Sequence, residues 1–534
     1  MKHRKITALL CAMALMGTVP SFSAAAANEA PSDPYRTAVQ KMKDLEKAEK
    51  EKPEDAKESP KTDVPAGEVN YTDALMKGLD LTVADVQSSI EAGTFKNLSP
   101  EAPKPVEPEP IVEPEPEPAS EAEPEPLPEE PAPEEAAPVK KFIINQGETA
   151  NTQDTDGAYD NIAYISEKDD ENALRIPMAY ITSENGKITK SGNTTDVESS
   201  RLYGLNAAVL ATHGGRVSFT NALISSSGTG SAGAYGYSKS TYINLTGSTV
   251  TTEGDHSPGV IVSAKAMMKT VNTQVSTKGN DSPVIEIADG GGILIAEGGS
   301  FTASGLRSHG IYSKGDVTVT NSTVKAEKTK AAVLKGNNTI TLRNTVLEGN
   351  EIYDINPHNI VLFSKDDDIG TMGLQQFDVR GGTLIARKGD MFYVTSTHGR
   401  ITLAGVTLIK DDPSSNLIIV TGNDGANDWG TPGSNGGHLE LICDGQTLDG
   451  NIVVDSISNV NITLKNDSTY TGAVTIIPNG EGGASYKTNA DVFIAAGSTW
   501  NLTGNSTLTS LNNLGTINYN GYTITLADGT VLRG

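Results

Sequence analysis

Ser231-Ala232-Gly233-Ala234-Tyr235 returns as Ser257-Pro258-Gly259-Val260-Ile261, then as Ser282-Pro283-Val284-Ile285-Glu286, then as Ser308-His309-Gly310-Ile311-Tyr312. The interval is about 25 residues, which lies in the range of stacked structural repeats. A second phrase keeps the same beat: Val217-Ser218-Phe219-Thr220-Asn221, Ile243-Asn244-Leu245-Thr246-Gly247, Val317-Thr318-Val319-Thr320-Asn321 and Ile340-Thr341-Leu342-Arg343-Asn344. Apolar residues alternate with Thr and Ser in these phrases, so one side faces a core and the other faces water. A third apolar beat, Ile224, Val250, Val324 and Leu347, follows each of them. Three short strands and three turns per repeat describe one coil of a parallel β-helix. A single coil cannot bury its own inner face. Stacking at about 4.8 Å places like apolar residues on one another, and about fifteen coils would span roughly 70 Å.

Outward from this region the pattern persists but loosens. After Asn350, strand-like runs continue at Ile360–Phe363, Thr383–Ala386, Phe392–Val394, Ile401–Leu403 and Leu417–Val420. They resume at Ile452–Val454, Ile462–Leu464, Val474–Ile477, Val492–Ala495 and Ile524–Leu526. The Gly- and Asn-rich stretch from Gly422 to Gly437 interrupts the series and reads as a loop extruded from one coil. Asn221, Asn321 and Asn344 fall at equivalent bends, where stacked amides are expected to form a ladder. A β-sandwich would call for hairpins. Here the same motif recurs in the same order, so neighbouring copies should run parallel.

The N-terminal part has a different composition. Residues 1–27 read as a secretory signal peptide: Lys2, His3, Arg4 and Lys5 precede the apolar run Ile6–Met16 and the small residues Ser23–Ala27. The apolar run is too short to span a bilayer, and no membrane-spanning segment is expected in the mature chain. Residues 28–99 are charged and partly helical, with Lys41–Lys57 alternating in sign and a short amphipathic surface over Leu75–Ile90. Residues 100–140 are a Pro- and Glu-rich linker. Proline fixes φ and like charges repel, so this stretch should be extended polyproline II, reaching on the order of 100 Å. Residues 141–534 are then the β-helix.

Composition bounds the partners. The formal charge of −25 argues against nucleic acid and anionic lipid, which need clustered Lys and Arg. It is compatible with cations and with neutral or basic surfaces. Of the two cysteines, Cys11 lies in the leader, so Cys443 would be the lone thiol and no internal disulfide is expected.

Tyr203-Gly204-Leu205-Asn206-Ala207-Ala208-Val209-Leu210-Ala211, the loop Trp429-Gly430 to Gly436-Gly437, and Gly450-Asn451-Ile452-Val453-Val454-Asp455-Ser456 resemble a group of exported bacterial proteins. These are described as right-handed parallel β-helix or adhesin-like proteins. The resemblance covers about Tyr180 to the end, and it implies an all-β, right-handed β-solenoid at the cell surface or secreted. The region is similar, more loosely, to autotransporter passenger domains. It departs from them at Val531-Leu532-Arg533-Gly534, where no barrel of amphipathic strands follows, so self-secretion is not implied.

Catalytic chemistry has little to stand on. Parallel β-helices include pectate lyases and polygalacturonases, but fold alone does not decide function. Of the galacturonase motifs, only Ser308-His309-Gly310 matches part of one. His309 occupies a repeat position that elsewhere holds Pro258 or Ala232, which makes it a turn residue. His213 and His398 precede glycines at expected turns, with no partner at ligand spacing. Asp366, Asp367 and Asp368 form the candidate metal site, because adjacent carboxylates hold Ca²⁺. The candidate ligand site is Trp429, whose indole would stack on a sugar, with Asp424 and Asp428 as possible Ca²⁺ ligands. No other cofactor is expected. The function expected is non-catalytic, adhesin-like binding of a glycan or an extracellular protein surface. Two alternatives stand beside it: a polysaccharide lyase or hydrolase, and a structural component of the cell envelope.

Overall fold

A computed structural model describes residues 144–364, 373–423, 431–483, 485 and 488–534. The expectations for residues 1–27, 28–99 and 100–140 lie outside the described residues.

The described residues are dominated by β-strands that coil through three faces in turn. One coil runs Arg216–Thr220 on face 1, Leu223–Ser226 on face 2 and Ala234–Tyr237 on face 3. The next runs Tyr242–Thr246, Thr249–Thr252 and Val260–Ser263. Each strand pairs in parallel with its equivalent one coil on: Val217 with Ile243, Ile224 with Val250, Tyr235 with Ile261. Face 3 is a 12-stranded sheet in strict sequence order from Leu174–Pro177 to Val474–Ile477. Faces 1 and 2 share a 20-stranded sheet. They are continuous because Ala266–Thr277, Gly292–Ala303, Thr339–Gly349 and Leu374–Ala386 each pass through the corner as one strand. Among the described residues the one antiparallel pairing of named strands is at the C-terminal end, between Ile524–Leu526 and Val531–Leu532. The recurring phrases of the sequence therefore do stack in parallel, as a solenoid-like architecture.

The core follows from the alternation. In Arg216–Thr220 the buried positions are Val217 and Phe219, and the exposed or half-buried ones are Arg216, Ser218 and Thr220. Stacking continues the inward column as Val217, Ile243, Met268, Leu294 and Val317, all buried. Cys443 takes a leucine's place in the neighbouring column, between Leu403 and Leu464. It is fully buried, and burial pushes its thiol up, so it is an inert filler of the core.

The corner between faces 1 and 2 turns on a left-handed Asn or Gly, followed in two coils by a second positive-φ glycine, Gly299 or Gly382. The turning Asn or Gly is Asn185 (φ 53°), Asn221 (53°), Gly247 (58°), Asn272 (47°), Gly298 (69°), Asn321 (51°), Asn344 (48°) and Gly381 (61°). Only Gly and Asn adopt this conformation readily, which is why these two types hold the position. The expected amide ladder through Asn221, Asn321 and Asn344 does not form as a continuous stack. A Cβ added to Gly247, Gly298 or Gly381 would lie 2.7, 2.4 or 2.5 Å from Oδ1 of Asn221, Asn272 or Asn344. Each of these asparagines thus occupies the room left by the next coil's glycine. One amide pair does stack: Asn185 Nδ2 donates to Asn161 Oδ1 at 3.2 Å.

The corner between faces 2 and 3 is held by the serines of the recurring phrase. The backbone N–H of Ser231 donates to Ser257 Oγ at 2.9 Å, that of Ser257 to Ser282 Oγ at 2.9 Å, and that of Ser282 to Ser308 Oγ at 3.0 Å. The hydroxyls donate back to carbonyls of the preceding coil: Ser257 to Gly228 at 2.9 Å and Ser308 to Gly279 at 2.7 Å. The buried backbone groups on the serine side of the turn are thereby paired from coil to coil, while Ser231 Oγ is left without a partner. This is the physical reason the phrase repeats. His309 sits in this turn, as expected from its position in the repeat.

One element was not foreseen. Helix α1 (Val197–Tyr203) is inserted between faces 2 and 3. Asp196 caps it by accepting from the Ser199 N–H at 3.0 Å, and Gly204 ends it at φ 78°. A Cβ on Gly204 would lie 2.8 Å from Leu210 and 3.1 Å from Tyr235, so glycine is required by space as well as by φ. The helix covers the outer side of face 3, where Leu210, Tyr235 and Ile261 form a second buried cluster. The Tyr235 hydroxyl lies 2.7 Å from the Arg201 carbonyl and 2.9 Å from Ser263 Oγ. Arg201 itself reaches Glu286 (3.6 Å) and Asp289 (3.0 Å), far along the chain.

Candidate functional site: the corner between faces 3 and 1

The third corner behaves differently from the other two. Three long connections leave it, after His358–Phe363, after Ile418–Thr421 and after Val474–Ile477. Tight turns alternate with them, at Ser396–Thr397 and at Ser456–Ser458. Asp366, Asp367 and Asp368 belong to the first long connection, and Asp424, Asp428 and Trp429 to the second. All six lie outside the described residues. The chain nevertheless leaves and re-enters the sheets for both segments at the same corner, two coils apart. Sequence spacing alone did not reveal that convergence, because it depends on which residues share a coil position.

The described ends of the second connection are firmly tied. Asn423 is fully buried, its N–H donates to the Ser434 carbonyl at 2.9 Å, and its carbonyl accepts from the Gly433 N–H at 2.8 Å. Gly437 N–H donates to Ser458 Oγ at 3.0 Å. Asn489, on the third connection, donates through Nδ2 to the carbonyls of Asp455, Ser456 and Ser458 at 3.2, 3.0 and 2.7 Å.

Between these ties lies Asp455, 1% exposed. Its Oδ2 accepts from the Gly422 N–H at 2.9 Å and from Asn479 Nδ2 at 2.6 Å. Its Oδ1 is buried and has no hydrogen-bond partner. The same is true of Thr395 Oγ1, Thr397 Oγ1 and Gln375 Oε1, which belong to this corner in the preceding coils. Four of the nine such atoms among the described residues lie at this corner, and Asn206 Oδ1, Ser231 Oγ and Asn359 Oδ1 lie at the corner between faces 2 and 3. Asp455 appears in the sequence only as an ordinary strand-end residue, and nothing in its neighbours signals its burial.

The histidines here also need revision. His398 is not in a turn; it opens the strand His398–Ala404 and pairs in register with His438. The two rings lie 4.8 Å apart, and His438 Nδ1 is 2.9 Å from Asn459 Oδ1. Burial lowers both imidazoles, so both are neutral at physiological pH. Residues far apart in sequence become neighbours through the coil. Among the described residues no group of three or more His, Cys, Asp or Glu side chains is placed to hold a metal.

Two further clusters were weighed for catalysis. His309 Nδ1 lies 3.4 Å from Thr329 Oγ1, which lies 3.0 Å from Glu351 Oε2. Burial, with Lys330 beside it, pushes the His309 imidazole down to about 3. Glu351, in spite of burial, is held below the ordinary carboxylate range by Lys330 and by the N–H groups of Tyr353 and Asp354. Neither group titrates near neutral pH, where a general base works best. The second cluster is an open groove of about 400 Å³ lined by Lys325, Glu327, Glu348, Asn350, Arg387, Lys388 and Asp411. It holds three carboxylates near an arginine, but Arg387 binds two of them: Nε and Nη2 reach Glu348 at 3.1 and 3.2 Å, and Nη1 reaches Asp411 at 3.1 Å, while Glu327 lies 3.5 Å from Lys325 Nζ. Carboxylates tied to a common guanidinium are poorly disposed to exchange protons.

Among the described residues no helix is long and apolar enough to cross a membrane. No family model, no curated protein and no solved structure matches this chain.

Proposed function

We propose that this chain is an exported, non-catalytic binding protein, adhesin-like in action, whose solenoid presents a row of loops to a glycan or an extracellular protein surface. The observation that carries the reading is the gathering of the long connections at the corner between faces 3 and 1. Loops held by a rigid scaffold are where binding residues concentrate. The outer column of face 2 supports it further. Thr189, Ser225, Thr251, Ser276 and Thr302 stack in register on successive coils, a regular row of hydroxyls suited to many weak hydrogen bonds. Export rests on the basic and apolar pattern of residues 1–27. The proposal includes right-handed coiling, by the resemblance to exported β-helix proteins and by the general preference of parallel crossovers for that hand.

The test is a glycan and matrix-protein array probed with the full chain and with a variant whose 422–437 connection is replaced by a tight turn. Binding that disappears in the variant supports the reading. Binding indifferent to the replacement, or release of unsaturated or reducing products from polyuronates, defeats it.

A further inference from the structure

We propose, resting on the glycan-binding reading above, that the outer side of face 1 in its first coils is a stacking platform for an extended, neutral β-1,4-linked polysaccharide. Tyr180 and Tyr242 are its stacking residues, and Arg216 stands between them. Tyr180, Arg216, Tyr242, Met267 and Ile293 lie at the start of face 1 on five successive coils and pair in register, so they form one column. The residues after the first three, Ile181, Val217 and Ile243, point into the core, which turns this column outward. Tyr180 is 54% exposed, Met267 40% and Ile293 38%; Arg216 is exposed and Tyr242 half-buried. Farther along, the same column holds Asp316, Gln376, Arg400, Glu440, Asn461 and Asp491. The solenoid therefore needs no apolar residue at this position. An exposed aromatic and apolar stretch that folding does not require marks a contact surface.

The spacing selects the ligand. Tyr180 and Tyr242 are two coils apart, about 9.6 Å at the strand spacing of a sheet. That interval is close to the repeat of an extended β-1,4-linked chain, where each sugar is flipped against the last and every second ring presents the same face. Each tyrosine can then take the apolar C–H face of one sugar. Arg216 meets the sugar between them, and its guanidinium offers five N–H donors to hydroxyls. It forms no ion pair among the described residues. One step along the strands, about 7 Å away, Thr182, Ser218 and Asn244 form a parallel column of short polar side chains for the rim of the sugars. Glu184 in the third column and a chain charge of −25 disfavour an anionic polymer, which leaves a neutral one. Two stacking contacts on an open surface correspond to an affinity of about 10⁻⁴ to 10⁻³ M for a short oligosaccharide.

The experiment titrates the full chain with soluble β-1,4-linked oligomers of glucose, mannose and N-acetylglucosamine, from di- to hexasaccharide, with an α-1,4-linked glucose series and a uronate series in parallel. In at least one neutral β-1,4 series, affinity should rise about ten-fold from di- to trisaccharide, the shortest chain that reaches both tyrosines, and then level off. Tyr180→Ala and Tyr242→Ala should each remove that rise, whereas Tyr242→Phe keeps the ring and should stay within about two-fold of the native affinity. Tyr180 is more than half exposed, so its variant keeps the test open if Tyr242→Ala fails to fold. Replacing the 422–437 connection should leave oligosaccharide affinity unchanged. Contacts this weak are washed from an array, so a failure here and a failure of the corner as a binding site are read separately. Absence of binding or of the length dependence overturns the proposal. So does affinity unchanged in both alanine variants, or equal or tighter binding of the α-linked or uronate series.

Discussion

The corner between faces 1 and 2 and the corner between faces 3 and 1 bend the same chain by opposite means. At the first, a left-handed Asn or Gly, joined in two coils by a second glycine, makes the bend, and the strands of several coils run through unbroken. At the second, the chain leaves the stack for long excursions in alternate coils and returns to a set of buried, unpaired oxygens. The first corner repeats because every coil must supply the next with the same surface. The second is free to vary, since its connections lie between the stacked strands in sequence and need not pair from coil to coil. Regularity there belongs to the scaffold, and irregularity marks the place where function is expected.

The largest effect should come from crowding the regular corner. Gly299 has φ 101°, and a Cβ on it would lie 2.1 Å from the Thr273 carbonyl oxygen. Gly299→Val should therefore cost about 4 kcal/mol or prevent folding, because backbone cannot give way as a side chain can. At the other corner Gly482 has φ 79° with nothing within 4 Å of an added Cβ. Gly482→Ala should cost only about 1 kcal/mol, from conformation alone. Equal losses in denaturant titrations would erase the distinction between the corners.

Next in size is the strap formed by α1. Arg201→Met leaves Glu286 buried without its partner, and should cost about 3 kcal/mol at pH 7. Burial raises the Glu286 carboxyl above its ordinary range even with Arg201 present. A carboxyl with a raised folded pKa costs stability as pH rises from its unfolded value through its folded one. Loss of Arg201 raises it further, so the deficit of the variant should shrink as pH is lowered from 7 toward about 4.5. Asp289, half-buried yet held below the ordinary range by Lys314 and Arg201, matters only at more acid pH. A deficit independent of pH would show that the helix is held by packing alone.

Smaller still are the hydroxyl substitutions. Ser282→Ala removes the acceptor of the Ser257 N–H and should cost about 2 kcal/mol. Thr397→Val should cost nothing or stabilise by up to about 1 kcal/mol, because its hydroxyl has no partner to lose. The opposite signs of these two changes are the sharpest statement of how the corners differ. Least of all, Arg387→Gln should cost under about 1 kcal/mol, and less with added salt, since its pairs with Glu348 and Asp411 are half in solvent.

Much of the solenoid was legible in the sequence. The phrase beginning at Ser231 marked the interval and a turn, though not the bonds its serines make, and the alternation in Val217–Asn221 marked the inward column. Asn221, Asn321 and Asn344 were readable as corner residues, though the way Asn221 fills the room left by Gly247 was not. Helix α1 escaped because a single short helix carries too weak a periodic signal, and its packing face is defined by Tyr235 and Ile261 on later coils. The candidate site was legible only in part. An aromatic and acidic insertion at 422–437 stood out by composition, whereas Asp455, Thr395 and Thr397 did not.

The amino-acid order determined, on its own, that like residues recur at a constant interval, and stacking is the one arrangement that buries such a series. Tertiary structure alone decided which unlike residues meet: His398 with His438, Arg201 with Glu286, Asp455 with Gly422. The physical reason is that hydrophobic recurrence is written along the chain, while contacts at a corner depend on how much chain each coil extrudes before it returns.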